Sequence, residues 1–160
     1  MVSRMTYFNK RSDKGHSLIK VLGDYTVLDI ETTSLDSFHG EIIEISALKV
    51  REKKKVASFS ELIHIDHEIG YFTTRLTGIT QEMLEEGKDL EEVLGCSLSN
   101  DYVDTLRLSR KLLPDLKHHK LDDLIAYFHL PKRKEHRALN DCLLTNEVYL
   151  RLGEMLKDSV

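Results

Sequence analysis

The chain has 160 residues, of which 41% are apolar and 31% charged, and a formal net charge of −4. A chain of this length buries a core without disulfides or a structural metal, so we expect one globular domain. No apolar run approaches the roughly 20 residues that cross a bilayer, and the polar, basic N-terminus has no apolar centre typical of a secretory signal. We therefore expect a cytoplasmic protein without a membrane partner, in which Cys96 and Cys142 stay reduced.

The first part of the chain differs from the rest in charge and pattern. Residues 1–24 hold five basic residues against Asp13 and Asp24, and show no sustained hydrophobic period. The remainder is acidic overall, which argues against broad, nonspecific binding to nucleic acid. These features predict a basic, flexible arm over residues 1–23 and a folded domain over residues 24–160.

Three β-rich runs follow one another. Tyr25–Ile30 is the first, Glu41–Val50 the second, and Lys55–Ile65 returns after the charged turn Arg51–Lys54. Three strands in succession predict an antiparallel meander.

Helices dominate after the meander. The expected elements, in chain order, are a helix from the N-cap Thr80 to Glu86, one from Asp89 to about Gly95, a short strand at Tyr102–Val103, a helix from the N-cap Asp104 to Leu113, an apolar helical stripe from Leu121 to Phe128, and a last helix from about Ala138 to Leu156. Strands first and helices later, with one late strand, predict an α/β (α+β) fold in which helices pack on a mixed sheet.

Two carboxylates lie inside the first β-rich run. Strand side chains alternate between faces, so Asp29 and Glu31 share one face with Val27. The flanking apolar residues indicate a central, buried strand, where two adjacent carboxylates repel each other and lose hydration. A cation is expected to compensate. A solvated strand end is the alternative, and the threonine pair that follows favours a metal site over it.

A second polar cluster, His136-Arg-Ala-Leu-Asn-Asp141, opens the last predicted helix. Five residues apart within one helix would set His136 and Asp141 about 140° apart, on different faces. With His136 in the preceding loop and Asp141 in the first turns, both can face one cavity. Alone, the pattern favours a surface histidine and an acid near a helix N-terminus. Together with Asp29 and Glu31 it favours a shared site.

These two motifs resemble those of the DEDDh 3′–5′ exonuclease family, which includes the proofreading subunit of bacterial DNA polymerase III and ribonuclease T. The resemblance runs from about Tyr25 to Leu152. It includes the strand Glu41-Ile-Ile-Glu-Ile, the turn Leu76-Thr-Gly-Ile-Thr80 and the segment Val103-Asp-Thr-Leu-Arg-Leu-Ser-Arg110. It implies a ribonuclease-H-like fold and hydrolysis of nucleotides from a 3′ end.

By the same resemblance, Asp29, Glu31 and Asp141 coordinate divalent metal and His136 is the general base. Mg²⁺ and Mn²⁺ are hard cations that prefer carboxylate oxygens, and two such ions about 4 Å apart stabilise the attacking and leaving oxygens of a phosphodiester. Histidine is neutral near pH 7 and can accept a proton from the attacking water.

The resemblance also implies the substrate and the partner. Backbone groups near Thr32 and Thr33 are expected beside the terminal nucleotide, and the basic run Lys132–Lys134 either attracts the phosphate chain or is a solvated charge run. The implied substrate is a single-stranded or frayed 3′ end, of DNA before RNA, and the implied partner is a DNA polymerase.

The family's second motif, His-Asn-x-x-Phe-Asp on a helix, is missing. Between Leu94 and Asp101 the chain has only Gly-Cys-Ser-Leu-Ser-Asn, where the family has a strand and a helix of roughly 25–30 residues with their connections. We expect an internal deletion near residues 94–101 and apolar surface exposed by the lost helix. Asp101 and Asp104 are the nearest acids that could substitute, although helix capping accounts better for Asp104.

Three functions are consistent with these residues. The first is an active exonuclease, the second a catalytically impaired relative that still binds metal or nucleic acid ends, and the third a polymerase-associated interaction domain. The retained His136 and Asp141 favour the first two, because a domain without chemistry has no need of a crowded acidic cluster. The missing segment favours the second over the first for measured activity.

Overall fold

The computed structural model describes residues 15–34, 36, 38–95, 99–131 and 137–158. The elements in chain order are β1 (Ser17–Leu18), β2 (Tyr25–Thr32), β3 (Ile42–Arg51), β4 (Lys54–Leu62), α1 (Tyr71–Thr77), α2 (Gln81–Glu85), α3 (Leu90–Leu94), β5 (Tyr102–Val103), α4 (Thr105–Leu112), α5 (Leu121–Tyr127) and α6 (Ala138–Asp158). The predicted class, an antiparallel meander followed by helices, is confirmed.

The meander is a sheet of three antiparallel strands in the order β2-β3-β4. The turn between β3 and β4 holds Glu52 and Lys53, both at positive φ (48° and 63°). This left-handed turn matches the twist of paired strands, which explains why the two strands meet at the predicted charged turn. The register sets Asp29 opposite Ser46 on the neighbouring strand.

The late strand does not extend the meander. β5 pairs in parallel with β1, with Ser17 opposite Tyr102 and Leu18 opposite Val103. In the described residues the predicted mixed sheet is therefore divided into an antiparallel meander and a separate parallel pair, since no strand there hydrogen-bonds to both.

The N-terminal segment is docked from residue 15 onward. Ile19 and Val21 pack against the core around α6. The hydroxyl of Tyr149 accepts from the N–H of Leu22 at 2.9 Å and donates to the carbonyl of Lys20 at 3.2 Å. Both apolar contacts and hydrogen bonds therefore hold residues 19–22, which belong to the part of the expected arm (residues 1–23) that the structure describes. Residues 1–14 lie outside the described ranges.

Helix starts match the capping residues named from the sequence. Thr80 is the N-cap of α2 and accepts from a backbone N–H of the first turn, and Asp104 does the same for two N–H groups of α4. Asp89 is the N-cap of α3, which ends at Gly95 in the left-handed region, φ 50°. The sequence did not predict α1, which has seven residues and exposed aromatic side chains at its start.

The long helix α6 covers one face of the meander. Its Cys142 is fully buried with Val27, Leu48 and Val50 of the sheet. Farther along, α6 packs against α4 and α5 in a larger core: Leu108, Leu113, Leu124, Ile125, Leu144, Val148, Tyr149 and Leu152. Neither α6 nor any other helix in the described ranges is long and apolar enough to cross a membrane.

The opposite face of the meander is partly uncovered. Leu28 and Ile30 of β2 are each 49% exposed, and Phe59 of β4 is 41% exposed. Among the described residues, those around α2 cover one end of this face, where Ile43 is buried with Ile79. Within the described residues, this face of the meander therefore presents apolar side chains to solvent.

Candidate metal centre and active site

Asp29 and Glu31 lie on the face of β2 that α6 covers. Strand alternation places both with the buried Val27, and the register sets Glu31 opposite Glu44 of β3. The register shifts between Glu31 and Thr32, so a bulge follows the second carboxylate directly. Both side chains therefore stand at the end of a paired strand, in positions set by the backbone.

Asp141 lies in the first turn of α6. Its N–H donates to the carbonyl of Arg137 at 3.0 Å. The next side chain, Cys142, has its Sγ 3.4 Å from the carbonyl of Ser46 and 3.8 Å from that of Val27. Because Ser46 is the cross-strand partner of Asp29, this contact seats the first turn of α6 beside Asp29.

The three carboxylates converge, although they belong to the first long strand and the last helix. One carboxylate oxygen from each of Asp29, Glu31 and Asp141 lies within 4.8 Å of the others, and all three residues are half-buried. Within the described part of the chain, no other group of three or more His, Cys, Asp or Glu side chains is gathered in this way. The folded chain thus has one concentrated acidic site in the ranges described.

Crowding changes the acidity of this site. The pKa of Asp29 is raised to about 7, first by burial and then by the negative charges of Asp141, Glu31 and Glu44. Burial and the charges of Asp29 and Asp141 raise the pKa of the Cys142 thiol to about 12. Cys142 therefore stays protonated and acts in packing, while the Asp29 carboxylate is unfavourable without a nearby cation.

The residues of the cluster fit a divalent metal ion. Carboxylate oxygens are the donors that Mg²⁺ and Mn²⁺ prefer, and a cation among them replaces mutual repulsion by attraction. Asp29, Glu31 and Asp141 are the residues that would hold it. The convergence of these three carboxylates, with one oxygen of each within 4.8 Å of the others, supports this fit, and their mutual repulsion contributes to the raised pKa of Asp29.

The two threonines expected beside the nucleotide shape the loop after the bulge. Thr32 Oγ1 donates to the carbonyl of Ser34 at 2.8 Å. Thr33 Oγ1 accepts from the N–H of Glu41 at 3.0 Å, and the Thr33 carbonyl accepts from Thr73 Oγ1 at 3.2 Å. The loop next to the acidic cluster is thus tied to the start of β3 and to α1.

Of the remaining candidates, Asp101 and Asp104 are described and are not in the cluster. His136 and the basic run Lys132–Lys134 lie outside the described residues. Asp101 accepts from the N–H of His16, and Asp104 caps α4. Neither Asp101 nor Asp104 therefore replaces the aspartate of the family's second motif in the structure as described.

Two charged residues beside the cluster were missed in the sequence. Glu44 is 1% exposed on β3, and its carboxylate accepts from Nε and Nη2 of Arg137. A glutamate inside the apolar run of residues 42–45 has the same pattern that singled out Asp29. That pattern was a usable signal for Glu44, whereas nothing local indicated its partner.

The antiparallel meander with helices packed on it has a ribonuclease-H-like fold. The chain belongs to the RNase_T family, described as exonuclease, whose profile it matches over residues 26–96 and 94–149. This agrees with the DEDDh exonuclease family to which the sequence motifs point.

Curated relatives are DNA polymerases of the PolC type. The DNA polymerase III PolC-type of Caldanaerobacter subterraneus subsp. tengcongensis is 33% identical over 175 residues, covering 90% of this chain and 12% of the relative. That of Thermotoga petrophila is 34% identical over 165 residues, covering 83% of this chain and 12% of the relative. This chain therefore spans only about 12% of the length of these relatives.

Two solved structures of exonucleases have the same fold. Exonuclease X in complex with 5′ overhanging duplex DNA has a TM-score of 0.70 and 23% identity, covering 81% of this chain and 90% of that chain. The nuclease domain of 3′hExo, a DEDDh family member bound to rAMP, has a TM-score of 0.62 and 17% identity, covering 85% and 92%. At these identities the similarity establishes the fold.

The matches are interrupted where the family's second acidic motif is expected. The family profile is matched in two segments that meet at residues 94–96. The alignment with the Caldanaerobacter protein extends over 175 positions, whereas 90% of 160 residues, about 144, take part from this chain. At least about 31 positions of the relative, the difference between 175 and 144, thus have no counterpart here.

Proposed function

We propose that this chain is a metal-dependent 3′–5′ exonuclease domain that hydrolyses phosphodiester bonds at the 3′ ends of nucleic acids. The convergence of Asp29, Glu31 and Asp141 carries this proposal, because it gathers the donors that phosphodiester hydrolysis needs on the fold of an exonuclease family. The PolC-type relatives support DNA as the substrate and a DNA polymerase as the partner.

The three carboxylates have a holding role in the proposed reaction. Asp29, Glu31 and Asp141 hold Mg²⁺ or Mn²⁺, and their half-buried position keeps the site from being fully solvated. Two divalent ions, when bound, stabilise the attacking and leaving oxygens of the phosphodiester.

His136 is the proposed general base. A neutral imidazole accepts the proton of the attacking water, and its ordinary pKa lies close to neutral pH. The similarity of the motif His136-Arg-Ala-Leu-Asn-Asp141 to that of the DEDDh exonucleases supports this role. The loop of Thr32 and Thr33 is the proposed contact for the terminal nucleotide.

We also propose that the block missing near residues 94–101 is an internal deletion. This deletion removed the aspartate of the family's second motif, which would be a fourth acid beside Asp29, Glu31 and Asp141. The interrupted family match and the unmatched positions of the relatives support it. These observations favour a second candidate function, a catalytically impaired relative that binds metal or nucleic acid ends without efficient cleavage. The lost aspartate would then limit turnover, while the three remaining carboxylates still hold a cation.

A cleavage assay with matched variants separates the candidates. A 3′-labelled single-stranded DNA is incubated with the protein and Mn²⁺, alongside Asp29→Ala and the control Asp66→Ala, whose side chain is 101% exposed and outside the cluster. Mononucleotide release that Asp29→Ala abolishes and Asp66→Ala retains supports the exonuclease. Mn²⁺ binding by calorimetry without release supports the impaired relative. If the protein neither binds Mn²⁺ nor releases nucleotides, both the exonuclease and the impaired relative are contradicted. The polymerase-associated interaction domain is then the remaining candidate.

A further inference from the structure

Glu44 is a buried acid with an unusually complete set of donors. Its side chain is 1% exposed, whereas its partner Arg137 is 29% exposed. Oε1 accepts from Arg137 Nη2 at 2.8 Å and from Ser60 Oγ at 3.1 Å. Oε2 accepts from the backbone N–H of Ala138 at 3.0 Å, and Arg137 Nε lies 3.1 Å from both oxygens.

This pairing keeps Glu44 ionised. Burial alone raises the pKa of a carboxyl, but the hydrogen bonds from Arg137 and from the Ala138 N–H, with the guanidinium charge, outweigh it and hold the pKa of Glu44 below its ordinary value. A bidentate arginine–carboxylate pair is also directional, since the planar guanidinium accepts one orientation of its partner. The contact therefore fixes the angle as well as the distance between β3 and the start of α6.

The pair is placed between the two halves of the acidic cluster. On the sheet side, Glu44 is the cross-strand neighbour of Glu31. On the helix side, the carbonyl of Arg137 accepts the N–H of Asp141 at 3.0 Å, so the same residue that binds Glu44 begins the helical turn that carries Asp141. Movement of Arg137 is thus transmitted directly to Asp141.

We propose that Glu44 and Arg137 are positioning residues that set Asp141 against Asp29 and Glu31. The inference rests on the proposed metal site. The ion pair holds the first turn of α6 against the end of the sheet. The three carboxylates reach their observed spacing only when this ion pair is formed.

Electrostatics alone makes the opposite prediction for one variant. Removing the positive charge of Arg137 beside three carboxylates makes the site more negative, which by charge alone tightens cation binding. Loss of positioning weakens cation binding. Arg137→Gln therefore distinguishes the two effects by the sign of its change in Mn²⁺ affinity.

The test measures Mn²⁺ binding by calorimetry and amide hydrogen exchange along α6 in the metal-free protein. We expect Arg137→Gln to weaken Mn²⁺ binding about tenfold and to lose protection at residues 138–142, with little change at residues 148–152. Arg137→Lys recovers part of the affinity. The matched control is Arg151→Gln, which breaks the exposed pair of Arg151 with Glu154 on the same helix and leaves both readouts unchanged.

A neutral double variant covers the case in which a single variant does not fold. Glu44→Gln with Arg137→Met leaves no buried unpaired charge and nearly the same net charge at the site. Positioning still predicts weaker Mn²⁺ binding in this protein. Wild-type affinity in the double variant, or unchanged or tighter binding in Arg137→Gln, overturns the inference.

Cleavage of labelled DNA is measured in parallel with the same variants. If the wild type binds Mn²⁺ and the variants bind it more weakly as expected, but the wild type releases no nucleotide, the exonuclease proposal fails while the positioning role stands. If the wild type cleaves and the variants bind Mn²⁺ and cleave as it does, the positioning role fails alone. If the wild type binds no Mn²⁺, the metal site and its positioning fail together.

Discussion

A carboxylate oxygen of Asp29 lies within 4.8 Å of a carboxylate oxygen of Asp141, although one residue is in the first long strand and the other in the last helix. Two like charges at this distance in a half-buried site weaken the metal-free fold. A divalent cation converts the same arrangement into a stabilising one. The relationship therefore leads to predictions about pH, metal and single carboxylates.

The first prediction concerns stability and pH without metal. The pKa of Asp29 is raised from 3.8 to about 7 in the folded chain, so the folded state holds a proton that the unfolded state releases between these values. In EDTA, stability is therefore expected to fall as pH rises from about 4 to about 7. Thermal unfolding of the wild type and of Asp29→Asn, followed by circular dichroism, checks this pH dependence. Asp29→Asn lacks the titrating carboxyl and therefore its contribution to stability. Identical pH dependence in the two proteins would contradict it.

Replacement of one carboxylate is predicted to separate metal affinity from stability. Asp141→Asn removes a charged ligand and one source of repulsion, so we expect Mn²⁺ binding to weaken about tenfold or more while the metal-free protein becomes no less stable. Glu147→Gln, an exposed acid on the same helix, is the control and leaves both unchanged. Calorimetry and thermal unfolding in EDTA measure the two effects. Wild-type affinity in Asp141→Asn is incompatible with the site.

The uncovered sheet face is predicted to tolerate polar substitution. Leu28 is 49% exposed, and threonine suits a strand, so Leu28→Thr is expected to change the free energy of unfolding by less than about 1 kcal/mol. The matched core residue Leu48 is fully buried, and Leu48→Ala is expected to cost about 2–5 kcal/mol. Urea unfolding measures both. A loss above about 2 kcal/mol in Leu28→Thr means that another segment or molecule covers this face in solution.

The docked N-terminal segment is predicted to depend on one hydroxyl. Tyr149→Phe leaves the N–H of Leu22 and the carbonyl of Lys20 without their partner, which costs about 1–3 kcal/mol. Tyr127→Phe, at a tyrosine that is 45% exposed, serves as the control with little effect. Urea unfolding and hydrogen exchange at Leu22 measure the change. Unchanged exchange at Leu22 in Tyr149→Phe would show that the Tyr149 hydroxyl does not hold this segment.

Elements whose determinants lie within a few residues could be predicted from the sequence. Thr80 and Asp104 cap helices because each side chain accepts N–H groups two or three residues ahead, and Gly95 ends a helix because glycine adopts positive φ without strain. The meander followed from alternation and a charged turn. By contrast, β1 is two residues long and pairs with β5 far along the chain, so no local period could indicate it.

The candidate site divides in the same way. The sequence by itself determined that Asp29 and Glu31 share a strand face, because side chains alternate along an extended backbone. Only the tertiary structure decided that Asp141 joins them and that Arg137 meets Glu44, 93 residues away. These contacts depend on where α6 crosses the sheet, which is set by the packing of many buried side chains together, and no spacing between neighbouring residues carries that information.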